Sequence, residues 1–119
     1  MWLNALYLAH TVLEIALGGL KLRGRYQHEP PGSKSVRSEM YCRHHGFSLL
    51  ALALLGYLVW RNDLVDSPTG QAASAVLATF HCGAVVAFLH AFLHGQISAA
   101  KVVIPHLPFA LAFSWHALL

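Results

Sequence analysis

Nine histidines and one well-placed glutamate hold most of the chemistry open to this sequence. His10 and Glu14 stand one helical turn apart in an apolar stretch from Trp2 to Leu20, and His90 and His94 repeat that spacing in another. Side chains four residues apart meet on one helix face, so either pair can present two ligand atoms to one ion. An imidazole in apolar surroundings does one of three jobs: it ligates a metal ion, holds haem iron axially, or relays protons beside a carboxylate. For a transition-metal ion the candidate ligands are Glu14, His45, His90, His94 and His106; His45 or His106 would complete a set begun by Glu14 and the His90/His94 pair. For haem b the candidate axial ligands are His10 with His81, or His45 with His90. For acid–base work, Glu14 would act with His10 or His90. The sequence contains no nucleotide-binding loop, thiolate zinc motif or nucleophile elbow, and no serine or cysteine with an evident base and orienting group.

Several histidines have a plainer reading. His28 falls in a polar loop, and His44 and His116 fall at expected interfaces, where an imidazole needs no special role. His81 alone suits a hydrogen bond to neighbouring backbone as well as it suits a ligand role. Three ionisable groups pointing inward at membrane depth (Glu14, His90 and His94) are harder to explain without function, because each is expensive there.

The elements that must position these residues are helices. Hydrophobic residues make up 56% of the chain and charged residues 11%, too little polar surface for so small a domain in water. The apolar residues gather in four blocks, predicting helices over 2–22, 41–60, 72–95 and 97–118 in a single membrane domain, residues 1–119, with a polar loop at 23–40. The fold class is therefore an all-α integral membrane protein, a bundle of four transmembrane helices. The first block lacks a basic leader and a small-x-small cleavage site, and is expected to be a retained span.

Charge placement predicts topology. Lys21, Arg23, Arg25, Lys34, Arg37, Arg43 and Lys101 flank the first and third connections, leaving Arg61 alone beside the second. By the positive-inside rule, loops 23–40 and 95–98 face the cytoplasm, and both termini face the other side. Trp2, Trp60 and Trp115 then share the outer interface and Tyr41 lies at the inner one, as an aromatic belt requires. The basic balance thus reports membrane orientation and argues against nucleic acid as a partner. Cys42 and Cys82 fall at depths too different for a disulfide.

Periodicity assigns faces. In the first span Asn4, Tyr7, Thr11, Glu14, Gly18 and Lys21 step by threes and fours along one packed face, with His10 beside Glu14. In the second, Tyr41, His45, Ser48, Leu52 and Gly56 share a strip. In the third, Val76, Thr79, Gly83, Val86, Ala87, His90 and His94 are expected inside, and Gly95-Gln96 is expected to end the helix. Asp66 to Gly70 has turn chemistry. Pro105 and Pro108 are expected to kink the fourth helix, freeing carbonyls that a cavity or neighbour must satisfy.

Two short patterns resemble known families. The stretch from Tyr7-Leu8-Ala9 through Glu14-Ile15 to Gly18 and Lys21 is similar to the first span of small multidrug resistance transporters; the resemblance implies a glutamate that exchanges protons for a cationic drug. The histidines, the polar loop and the doubled proline depart from that pattern. His81 and His94, 13 apart, resemble the spacing with which bis-histidine membrane cytochromes hold two haems on one helix.

The leading expectation is a four-helix membrane protein whose His/Glu-rich interior binds haem b or a transition-metal ion. It would act in electron transfer or as a cofactor-bearing subunit of a membrane complex. The alternatives are a cofactor-free accessory subunit, a proton-coupled transporter using Glu14, and a membrane enzyme acting on a lipophilic substrate. Expected partners are the lipid bilayer and either other membrane subunits or further copies of the chain.

Overall fold

A computed structural model describes residues 2–23, 36–95 and 106–119, the side chains of 36–39 excepted. The expected kink at Pro105, the loop residue His28 and the start of the predicted fourth span lie outside the described residues. Four helices account for nearly all the rest: α1 Trp2–Leu22, α2 Val36–Arg61, α3 Pro68–Leu93 and α4 His106–Leu118. The chain divides into two units, Met1–Trp60 and Arg61–Leu119, and each is a helical hairpin. Among the described residues three stretches, Trp2–Leu22, Met40–Arg61 and Pro68–Leu93, are long and apolar enough to cross a membrane. Their outer faces expose Val12, Ile15, Phe47, Leu54, Val86 and Leu93. Water would not tolerate such continuous apolar surface, whereas acyl chains would.

In the first unit, α1 and α2 run antiparallel in close register. The Cys42 thiol donates to the Lys21 carbonyl at 3.6 Å, and the Thr11 hydroxyl to the Ala53 carbonyl at 3.5 Å. Between them Gly18 and Gly46 bring backbone against backbone: a Cβ on either would lie 3.0 Å from the other's carbonyl oxygen. Helices in lipid gain little from burying apolar surface and associate by such close approach, which small residues permit. The α1 face expected from periodicity is the buried one: Tyr7, Thr11, Glu14 and Gly18, joined by Leu3 and His10. On α2 the buried positions are Gly46, Leu49, Ala53, Gly56 and Val59. Of the strip expected there only Gly56 is buried, while Tyr41 and His45 are exposed. The helix also starts at Val36, not 41. Residues 36–40 contain no helix breaker, so their polarity marks a change of surroundings and not a helix end.

The second unit begins with a strongly punctuated turn. Asp63 takes a left-handed conformation (φ 55°). Ser67 caps α3 by accepting from the Gly70 amide at 3.2 Å, and Pro68 occupies the first helical position, where no amide donor is needed. Ser-Pro here is a helix start, which explains why α3 opens four residues before the predicted 72. A Cβ on Gly70 would collide with the carbonyls of Leu64 and Val65, so the turn folds directly over that residue. At the far end Gly95 (φ 68°) terminates α3 as expected. α4 packs antiparallel along α3, pairing Ser74 with His116 and Phe88 with His106. Pro108 stands in the first turn of α4, where its missing amide costs no intrahelical bond.

Candidate metal centre

In the first unit α1 presents a polar stripe to the leanest part of α2. His10 is fully buried, Glu14 is buried one turn further on, and His10 Nε2 lies 3.6 Å from Glu14 Oε1. Ala53 and Gly56 on α2 leave room for this stripe. A Cβ on Gly56 would lie 2.9 Å from Thr11 Oγ1 and 3.4 Å from His10 Nδ1, so the imidazole rests almost on the α2 backbone. Removing a carboxylate and an imidazole from water costs several kcal/mol, of order per charged group, unless a counter-charge or hydrogen bonds compensate.

In the second unit His81 is buried in a box of aromatic rings. Phe109 stacks on it at 5.2 Å and 25°, Phe113 at 6.2 Å and 10°, and Phe80 meets it edge-on at 5.2 Å. Its Nδ1 lies 3.1 Å from Nδ1 of His106, which is half-buried and stacked on Phe88 at 5.3 Å. Two turns before His81, Ser74 Oγ and His116 Nδ1 are 2.6 Å apart, both buried. Sequence reasoning read His116 as interfacial and missed this pair. Its signal was the run of small residues on α3 (Gly70, Ala73, Ser74 and Ala78), which marks the packed face in lipid.

That packed face overturns the expected one. Val76, Thr79, Gly83, Val86, Ala87, His90 and His94 are all exposed, and the buried positions of α3 are Gly70, Ala73, Ser74, Leu77, Ala78 and His81. His90 and His94 stack on one another at 4.2 Å, and His94 Nδ1 donates to the His90 carbonyl at 2.8 Å. The same carbonyl accepts the His94 amide at 3.2 Å, so side chain and backbone of His94 both fold back on the last turn of α3. His44 and His45 are likewise exposed at the polar end of α2. Of the expected ligands, then, Glu14 is buried, His106 half-buried, and His45, His90 and His94 lie on the surface. Of the expected haem ligands, His10 and His81 are buried and His90 is not.

Within the first unit the buried His10 imidazole and Glu14 carboxylate offer one nitrogen and one oxygen donor that could hold a metal ion. An imidazole nitrogen and a carboxylate oxygen are donors that both zinc and non-haem iron(II) accept. Cys42 and Cys82 form no disulfide, and the Cys42 thiol donates to the Lys21 carbonyl. No family model, curated protein or solved structure matches the chain.

Proposed function

We propose that this chain is a small multi-pass membrane protein in which His10 and Glu14 hold a divalent transition-metal ion. The observation that carries the reading is the buried His10–Glu14 pair, 3.6 Å apart on a helix long and apolar enough to cross a bilayer. A cation offsets the cost of burying that carboxylate and accepts the imidazole lone pair in the same contact. The mixed nitrogen–oxygen set favours a bare ion over haem b, whose iron takes histidine, cysteine, methionine or tyrosine ligands. An ion held there with open positions would supply Lewis-acid or redox chemistry to a small molecule entering from the membrane. In this reading the basic connections around Lys21–Arg43 and Lys101 face the cytoplasm and both termini face away from it.

The test is metal content. Full-length protein, purified in mild detergent without a metal-affinity tag and exposed to iron(II), zinc, manganese or cobalt, is assayed by elemental analysis after desalting. Close to one ion per chain is expected, lost in Glu14→Gln and His10→Phe and kept in His94→Ala. A wild-type protein that retains no ion, or a Glu14→Gln variant that retains it fully, overturns the proposal.

A further inference from the structure

We infer that His90 and His94 form a second metal site, an exposed two-imidazole clamp at the end of α3 that takes a late first-row divalent cation, copper(II) most tightly. The site lies wholly within the second unit and is independent of the buried His10–Glu14 pair. His90 sits in the last turn of α3 and His94 is its C-cap, so the two stand one turn apart on the same face. Both are exposed, and their rings stack at 4.2 Å and 28°. The imidazoles are thus already side by side, as two ligands of one small ion must be. The bond that folds His94 back on its helix also sets its chemistry. A carbonyl oxygen only accepts, so the 2.8 Å contact between His94 Nδ1 and the His90 carbonyl places the ring hydrogen on Nδ1. In the neutral ring, Nε2 on the far side then carries a lone pair.

Metal-bound histidines generally donate their second nitrogen to a fixed acceptor, often a backbone carbonyl, which sets ring orientation and raises ligand basicity. His94 has that arrangement before any ion arrives. The end of the helix favours a cation as well, because its last carbonyls carry partial negative charge. Access is open. At about 1.5 Å per residue the 26 residues of α3 span about 39 Å, more than the ~30 Å hydrocarbon core, so its ends reach the interface with water. A ligand pair of imidazoles suits zinc, nickel and copper, and the usual order of affinities puts copper(II) first. With two protein ligands and water in the remaining positions, the ion exchanges freely and is removed by desalting. It therefore does not enter the metal count that tests the buried pair.

The experiment titrates copper(II) into full-length Glu14→Gln protein in mild detergent and follows it by electron paramagnetic resonance, with thermal melts to check folding. The Glu14→Gln background disables the buried pair, so the result is read apart from it. One copper(II) per chain, coupled to two imidazole nitrogens, is expected. Losing one ligand removes the gain from two-point attachment, so His90→Ala and His94→Ala are each expected to bind roughly 100-fold more weakly. His44→Ala and His45→Ala, at exposed positions on α2, are expected to bind as the parent does. Adding Phe92→His to His94→Ala restores a second imidazole two residues from His90, on a different face, and is expected to stay as weak as His94→Ala alone. Should His94→Ala fail to fold for want of its cap, His90→Ala decides, because it keeps the backbone carbonyl and removes only a ring. Unchanged copper binding in His90→Ala, parental affinity in the variant carrying Phe92→His, or coupling to a single nitrogen in the parent overturns the inference. None of these outcomes bears on the His10–Glu14 site, whose own failure in the metal count would leave this one standing.

Discussion

Replacing Gly18 by alanine tests how the first two helices meet. The new Cβ would lie 3.0 Å from the Gly46 carbonyl oxygen and 3.0 Å from both Cγ and Cδ2 of Leu50. Leu50 can rotate away, but the Gly46 oxygen belongs to helical backbone and cannot, so α1 must move off α2 at this point. Overpacking of this kind costs about 1–3 kcal/mol. Against it stands the helix propensity gained on replacing glycine, up to about 1 kcal/mol. The net expectation is a loss of up to about 2 kcal/mol, and of about 1–3 kcal/mol relative to a site that takes only the propensity gain. The neighbouring Gly19 is the control, because a Cβ there meets nothing within 4 Å and only the propensity gain remains. Unfolding of purified protein by sodium dodecyl sulfate, followed by circular dichroism, gives both values. The double variant Gly18→Ala/Gly46→Ala should lose less than the two singles combined, since the first displacement makes room for the second. A Gly18→Ala protein as stable as Gly19→Ala would refute the close backbone crossing.

Two other perturbations follow from the same geometry. Gly56→Ala should weaken zinc retention more than overall stability, because its Cβ would press on Thr11 Oγ1 and on the His10 ring; chelator competition beside an unfolding curve separates the two effects. Ser74→Ala should destabilise the second unit by about 1–3 kcal/mol by taking a hydrogen bond from buried His116. Part of that loss should return in Ser74→Ala/His116→Phe, where both polar partners are gone, and a double-mutant cycle in the same unfolding assay measures the coupling.

The residues show which parts of this molecule could be read in the sequence. The α1 face was legible because polar and small side chains mark it against a leucine-rich remainder, and Tyr7, Thr11, Glu14 and Gly18 are buried as that contrast implies. On α3 the contrast misled. A helix bounded by lipid is apolar on both sides, so hydrophobicity does not identify its packed face, and small residues do. His90 and His94 drew attention by their spacing, yet their geometry is that of a helix closing its own end. His81 lay off the histidine face and carried the weaker signal, but it shares the Gly70–Ala73–Ser74–Ala78 side and is buried with it. The starts of α2 and α3 were placed too late because polarity and Ser-Pro were read as loop, when one marks a change of surroundings and the other a cap. The pairing of His81 with His106, and of Ser74 with His116, depends on the register of α4 against α3, which a single chain's periodicity does not specify.

X-ray absorption at the metal edge of the zinc-loaded, full-length protein tests the central claim most directly. The account predicts a first shell of nitrogen and oxygen only, with the outer-shell scattering of imidazole, and loss of bound zinc in Glu14→Gln. Sulfur in the first shell, scattering from four imidazoles, or a spectrum unchanged by Glu14→Gln would contradict it.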